Sequence, residues 1–458
     1  MKLRNKLPPI IWATTILCPL LSLAQTVVPV YSFTGTNSSG NPGLGAPAQG
    51  RNGRLYGTTY GPNGTDGSVF AITTSGRETQ PLAFGSDGTN PGGGLTLGGD
   101  GYFYGTTVFG GSSGNGVLFK LSPNGVYTVL HEFLGSTDGA NPDAAPIQAS
   151  DSNFYGTTVG TNGASTVYRY ETNGTFTTIL NLNQTQGGDV IAPLIQGTDG
   201  NLYGTASEGG SATLGCGTIF KLSTSGEVLW TYAFSCSNGG QQPFAPLLQG
   251  SDGNFYGTTI AGGNSANCGT VFKLDQNGNV TTLYAFKNIP DGANPEAGLT
   301  QGTDGDLYGT TGYGGKNNGG TLFQLSTTGV HRILYYFGTR GETSIAALTQ
   351  DTNGIFYGTT YAGGRSGFGT VYSLNMGLGS FVTFVQPTGA VSGGAQILGQ
   401  GLTGATGVTF NGIAAASFKL VNDTYMTAVV PSGATTGKVV VTTPGGTLTS
   451  NVNFRILH

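Results

Sequence analysis

The stretch Leu248-Gln249-Gly250-Ser251-Asp252-Gly253-Asn254-Phe255-Tyr256-Gly257-Thr258-Thr259 decides the fold. Two short runs of strand-type residues flank Asp252-Gly253, and Asp and Gly tolerate the positive φ of a tight hairpin turn. A loop with Gly262-Gly263 follows, then Thr270-Val271-Phe272-Lys273-Leu274 and a second turn at Gln276-Asn277-Gly278. The run Val280-Thr281-Thr282-Leu283-Tyr284-Ala285-Phe286 completes four strands, a to d in chain order. Asp291-Gly292-Ala293-Asn294-Pro295 then breaks the chain before another strand a.

Outward from this unit, Tyr-Gly-Thr-Thr or a one-residue variant begins at Tyr56, Tyr104, Tyr155, Tyr203, Tyr256, Tyr308 and Tyr357. The intervals of 48 to 53 residues suit a four-stranded propeller blade. Seven a–b–c units can be counted, the last ending near Leu374. Strand d follows only the first six, around Phe84, Phe133, Leu182, Phe234, Phe286 and Phe337. The seventh d-like run is Val27 to Phe33, near the start of the chain. A ring sealed by its N-terminal strand needs this arrangement, and an open solenoid has no use for it. Closure also removes sheet edges that invite aggregation. The expectation is an all-β chain with a seven-bladed β-propeller, closed by the N-terminal strand, over residues 25–378.

The linked pattern Tyr-Gly-Thr-Thr, Gly-Gly and Gly-Thr-Val-Phe-Lys-Leu, seen whole from Tyr256 to Leu274, resembles the GloVer tandem-repeat family of exported bacterial proteins. The resemblance covers residues 26–376. It departs at Tyr203, which is followed by Gly-Thr-Ala, and in the third repeat, which reads Ser165-Thr166-Val167-Tyr168. It implies a secreted or surface location and assigns no activity. Beyond Gly379 the repeat stops. Ile397 to Leu402, Val408 to Gly412, Val430-Pro431 and Gly437 to Thr443 alternate short strands with Gly-rich turns, as a small β-sandwich does. Their order resembles the IPT/TIG immunoglobulin-like domain, so residues 379–458 are expected to form such a sandwich. That resemblance implies a spacer or interaction surface.

Lys2, Arg4 and Lys6 precede an apolar run from Ile10 to Leu21, and Ser22-Leu23-Ala24 supplies small residues where a signal peptidase reads. Residues 1–24 are therefore expected to be a cleaved signal peptide, and the protein extracellular or at the cell surface. No later stretch is apolar enough for a membrane span. The formal charge of −4 becomes −7 without the leader, which holds three basic residues and no acidic one. Nucleic acid, which needs clustered Lys and Arg, is not an expected partner. In an oxidising compartment Cys216 and Cys236, flanking neighbouring strands, are the candidate disulfide, with Cys236–Cys268 the other arrangement.

In a propeller the a–b and c–d turns share one face and the b–c and d–a loops the other. Here the first set is short and the second longer and more variable, so binding is expected on the long-loop face and at the channel mouth. Tyr60, Phe109, Tyr313 and Tyr361 open several of these loops. They are candidate ligand-binding residues, because flat aromatic faces stack on sugar rings; the competing reading is packing between blades. Packing is also the reading for the repeated Tyr of each motif and for Trp230 in a d-like strand. The turns Asp199-Gly200-Asn201, Asp252-Gly253-Asn254 and Asp304-Gly305-Asp306 offer oxygens, but calcium wants six to eight ligands, so they are read as hairpin turns. His131 and His331 fall in d-like strands without metal-pair spacing, and no nucleophile elbow or phosphate loop occurs. No cofactor, metal or catalytic residue is assigned. Glu208, Glu296 and Glu342 are placed to project toward the loop face. The resulting expectation is a non-enzymatic binding or structural module, whose partner is a polysaccharide or an envelope protein. The rival is a propeller glycosidase or polysaccharide lyase with its site at the channel mouth.

Overall fold

The computed structural model describes residues 26–36, 39–61, 65–135, 137–159, 165–210, 215–236, 239–338 and 342–457; the expected leader lies outside them. The described residues are all-β and contain no helix. Between residues 26 and 375 the strands form seven four-stranded antiparallel sheets in a propeller-like arrangement, one sheet for each Tyr-Gly-Thr-Thr motif. In the fifth repeat strand a is Leu248–Gln249, b Phe255–Thr259, c Thr270–Leu274 and d Val280–Ala285. Strand b is buried at every position and strand d is half-exposed, so b and c carry the core of each sheet.

The strand Thr26–Ser32 pairs antiparallel with Thr370–Asn375, Val27 opposite Leu374. Phe33 N–H donates to the Gly369 carbonyl at 3.0 Å, as Phe286 does to Gly269 in the fifth repeat. The first strand thus occupies in the seventh sheet the place that strand d takes in the others.

Consecutive sheets pack through the motif tyrosines. Tyr56 stacks on Phe103 at 4.1 Å between centroids, Tyr104 on Phe154 at 3.8 Å, Tyr203 on Phe255 at 4.3 Å and Tyr308 on Phe356 at 4.3 Å. Tyr357 shares a buried cluster with Leu55, which joins the seventh repeat to the first. Each Tyr hydroxyl donates to the turn four residues back where that residue is Asp, as in Tyr256 to Asp252 at 2.7 Å.

A second tie runs along strand a. Gln301 Oε1 accepts from Ser251 N–H at 2.8 Å, and its Nε2 donates to the Gly305 carbonyl at 2.8 Å. Gln148, Gln196, Gln249 and Gln350 accept in the same way from the preceding repeat. Gln49 completes the series by accepting from Thr352 N–H of the seventh repeat. Each Gln but Gln49 satisfies two backbone groups that would otherwise be stranded between sheets, while Gln49 donates to the Thr352 hydroxyl instead of a carbonyl. The second repeat has Leu97 at this position. Gln301→Leu, which copies it, is expected to lower stability by about 1–2 kcal/mol, read as a lower denaturant midpoint; an unchanged midpoint would mean that the tie adds nothing.

The sulfurs of Cys216 and Cys236 are bonded, with Cα atoms 5.6 Å apart, and Cys268 is a buried free thiol.

Residues 382–457 form two further four-stranded sheets. One joins Thr383–Phe384, Gly394–Leu398, Tyr425–Val429 and Ser417–Asn422; the other joins Ile413–Ala414, Gly407–Phe410, Val439–Thr443 and Gly446–Thr449. Their facing residues, including Ile397, Leu402, Met426, Val439, Val441 and Phe454, make a core separate from those of the repeats. This C-terminal module sits on the short-turn face. Arg51 stacks on Tyr425 at 4.6 Å and donates to Gln396 Oε1, whose Nε2 donates to the Gly99 carbonyl. Thr424 donates to the Arg51 carbonyl, Phe381 N–H to that of Thr352, and Arg455 to that of Thr198. The module therefore docks where Leu97 interrupts the glutamine series, and Arg51 and Gln396 supply the polar contacts there.

Candidate functional site

The long-loop face is held by backbone. In each repeat the residue after the second Thr of the motif donates to the d–a loop: Tyr60 to Asn41, Val108 to Asn90, Gly312 to Asn294 and Tyr361 to Thr343. Short bridges such as Thr89 with Phe109 and Ala293 with Tyr313 extend this pairing. The side chains that open these loops are thus fixed at their roots.

The structure brings two of the four candidate aromatics together. Tyr60 and Tyr361 meet edge to face at 6.3 Å across the junction of the first and seventh repeats, and Asn41 ties to the Tyr361 carbonyl. Phe109 and Tyr313 stand apart from them as separate rings, 47% and 53% exposed, while Tyr361 is 39% exposed. Tyr60 leans inward. Burial raises its hydroxyl pKa, with Asp143 and Tyr361 adding to the effect.

Inward from Tyr60 lies a cavity of about 210 Å³ to which every repeat contributes, from Leu44 of the first to Ala347 of the seventh. Its wall is mostly small and apolar, with Phe244 the one large ring. Gly92 lets Asp143 and the Tyr60 hydroxyl approach so closely that a Cβ there would collide with both. Asp143 Oδ1 is buried without a hydrogen-bond partner among the described residues, and burial pushes this carboxyl up to about 7. Glu296 also lines the cavity, and burial raises its pKa too. Both are shifted toward the neutral acid, because low-dielectric surroundings disfavour charge and among the described residues no Lys, Arg or His lines this cavity. A neutral carboxyl both donates and accepts, which suits hydroxyl-rich ligands.

Asp143 was not singled out from the sequence. Its signal is positional: aligned on the Pro of the d–a loop, the following residues are Gly43, Gly92, Asp143, Phe244 and Glu296, and only two of them carry acid. Of the other acidic candidates, Glu208 pairs through its backbone with Gly188 on the loop face. Glu342 packs its side chain beside Gly363.

The remaining candidates serve packing or turns. His131 stacks on Phe176 at 3.5 Å and bonds Asp138 at 2.8 Å, while His331 stacks on Tyr284 at 4.1 Å and burial pushes it down to about 4. The Asp199, Asp252 and Asp304 carboxylates accept from their own turns and from the motif Tyr hydroxyls. Among the described residues no three His, Cys, Asp or Glu side chains converge as a metal site would require.

These features define an all-β repeat protein with propeller-like sheets and an open, aromatic-edged loop face. The Gloeobacter/Verrucomicrobia repeat matches residues 21–163, 97–301, 147–372 and 194–422, and the chain belongs to that family. Among solved structures it is similar to the BP39L lectin from Burkholderia pseudomallei, with a TM-score of 0.54 and 11% identity, over 74% of this chain and 97% of that one. It is also similar to a gluconolactonase from Xanthomonas campestris, with a TM-score of 0.39 and 13% identity, over 77% and 97%. No curated protein matches the chain.

Proposed function

We propose that the chain is an exported, non-enzymatic binding module that recognises a polysaccharide through its long-loop face. On this reading residues 25–378 are a seven-bladed propeller closed by the N-terminal strand, residues 379–458 an IPT/TIG-type immunoglobulin-like sandwich, and residues 1–24 a cleaved leader. The pairing of Thr26–Ser32 with the seventh sheet and the Gln49–Thr352 tie support closure. A core drawn wholly from residues 382–456 supports the separate sandwich.

The observation that carries the binding reading is the set of aromatic rings left in water on rooted loops. Phe109 and Tyr313 stand in water as lone rings, and the Tyr60–Tyr361 pair lies near a cavity with two carboxyls whose pKa burial raises. Rings presented at low entropy cost favour stacking on a pyranose face. The test is binding of the full chain to a panel of glycans and envelope fractions. Saturable glycan binding is expected, with Tyr361→Ala and Tyr313→Ala each weakening it roughly tenfold. Binding indifferent to both substitutions, or no binding, would remove the reading.

The raised Asp143 and Glu296 also favour a second reading, a glycosidase or polysaccharide lyase at the channel mouth. Such chemistry wants one carboxylate kept ionised beside a protonated one. Burial raises both here, and no cation in the cavity holds either down. Glycan cleavage abolished by Asp143→Asn, with binding retained, would favour the enzyme.

A further inference from the structure

A groove of about 370 Å³ lies between the fourth and fifth repeats on the short-turn face, at the end opposite the long loops. That volume is within the range of small-molecule sites, about 300–1,000 Å³. One wall is the indole of Trp230, half-buried and packed against Gly278 in the c–d turn of the next repeat. The sequence expectation of packing between repeats describes one side of this ring, while the other side opens into the groove.

Trp230 is an exception to the repeat in two ways. Its register partner on strand c is Lys221, and the corresponding strand-d residues are Thr128 opposite Lys120, Thr177 opposite Arg169 and Thr281 opposite Lys273. The first repeat also has a threonine there, Thr79 opposite Ala71. The bulge in strand d has moved as well. In the second, third, fifth and sixth repeats it lies beside the second and third residues of strand c, but in the fourth it lies beside Lys221 and Leu222. A bulge re-aims the side chains next to it. Here it turns Leu229 out to 45% exposure and leaves Trp230 over the groove. The position holds threonine in four repeats, Arg332 in the sixth and Val28 in the seventh, so an aromatic ring stands there in the fourth alone among the seven described sheets.

The polar walls are equally specific. Lys221 Nζ bonds Asp199 Oδ2 at 2.8 Å. Burial alone would raise Asp199, but the Lys221 ammonium and hydrogen bonds from Asn201 and Tyr203 outweigh it and hold the carboxyl at about 2. Opposite stand Asp275, ionised and bonded to its own turn, and the side-chain amides of Gln276 and Asn277, which make no hydrogen bond among the described residues. The Trp230 indole N–H likewise has no acceptor among them. An aromatic face, free amides and fixed carboxylates match the apolar face and hydroxyl rim of a sugar. One cation against two anions leaves the groove negative, which disfavours acidic sugars.

We propose that this groove binds a neutral hexopyranose unit of a glycan, with Trp230 as the stacking platform and Gln276, Asn277 and Lys221 contacting its hydroxyls. It is separate from the long-loop site and does not depend on it. The test uses the full chain carrying Trp12→Phe, so that Trp230 is the only indole, titrated with methyl glycosides of glucose, galactose and mannose and with N-acetylglucosamine. A saturable change in tryptophan emission with at least one of them is expected, unaffected by Tyr313→Ala. Gln276→Ala, a substitution in a surface turn, should weaken it several-fold. Trp230→Thr should weaken binding measured by calorimetry by about tenfold. No response to any glycoside, a response to tetramethylammonium alone, or one abolished by Tyr313→Ala would overturn the proposal. Unchanged affinity in Gln276→Ala and Trp230→Thr would do the same.

Discussion

Gly320→Ala is expected to destabilise the protein by roughly 3 kcal/mol or more, while Gly305→Ala costs only about 1 kcal/mol. Both glycines have φ near +90°, at 88° and 89°, so backbone strain alone would give them equal costs. They differ in their surroundings. Gly305 faces open space, whereas a Cβ on Gly320 would collide with the backbone carbonyl of Thr311. That carbonyl immediately follows strand b, and Thr311 and Thr321 are locked together by a backbone bond of 2.9 Å and by their hydroxyls. Nothing flexible is available to give way. The corresponding residues Gly67, Gly116, Gly217, Gly269 and Gly369 meet the same obstruction, which explains the Gly just before strand c in all but the third repeat. Ser165, in that repeat, instead turns its hydroxyl to the Val159 carbonyl and accepts from Val190 N–H. Urea midpoints of the two variants provide the comparison. Equal losses would show that strain, and not close approach, sets the cost.

Asp351→Asn is expected to stabilise the protein at neutral and alkaline pH and to do almost nothing in acid. Strand a is followed by Gly in most repeats, but by Asp351 in the seventh. This side chain is fully buried beneath the C-terminal module, takes a 2.5 Å hydrogen bond from Gln400 on Oδ2 and leaves Oδ1 without a partner among the described residues. Burial raises its carboxyl from 3.8 to about 6, against backbone donors at Asn353 and Thr352 and the Gln400 amide. A raised acid favours the folded state while protonated. Its stabilising effect is complete below about pH 4, is lost as pH climbs through about 6, and is absent above that. About two units correspond to about 3 kcal/mol. The variant should therefore unfold about 3 kcal/mol later than the native chain near pH 8, the gap closing near pH 4. Denaturant titrations at the two pH values measure this directly. A gap independent of pH would mean that Asp351 does not titrate in the docked state.

Much of the repeat is legible in the chain because its chemistry is local. Asp252-Gly253 announces a turn wherever it stands, and the run of strand-type residues around Tyr256 announces a strand. The N-terminal run from Val27 could be matched to a missing strand because the other six provide the template, and it does pair with Thr370–Asn375. What could not be read depends on neighbours distant in sequence. Gln249 looks like any polar residue until Thr198 of the preceding repeat is brought to its oxygen. Asp143 becomes a perturbed acid only when a cavity built from all seven repeats excludes water around it. Trp230 reads as a packing residue, and it does pack against Gly278 of the next repeat, but its place over the groove follows from a bulge shifted by two residues, which no composition reveals. The loop aromatics are legible as large rings because their place at a loop entrance is a local feature. Their division into a touching pair and two lone rings is not.

The seating of the C-terminal module sets a limit on how the chain can vary. Its contacts fall on turns of several repeats at once: Arg51 of the first, Gly99 of the second, Thr198 of the fourth, and Asp351 and Thr352 of the seventh. Each link between neighbouring repeats is indifferent to the total number, so insertion or deletion of one unit would leave every such link intact. The span between those turns would nevertheless change, and a module with two sheets around one packed core cannot stretch to follow it. The C-terminal module thus serves as a caliper, fitting a chain with this repeat count and rejecting its longer and shorter relatives.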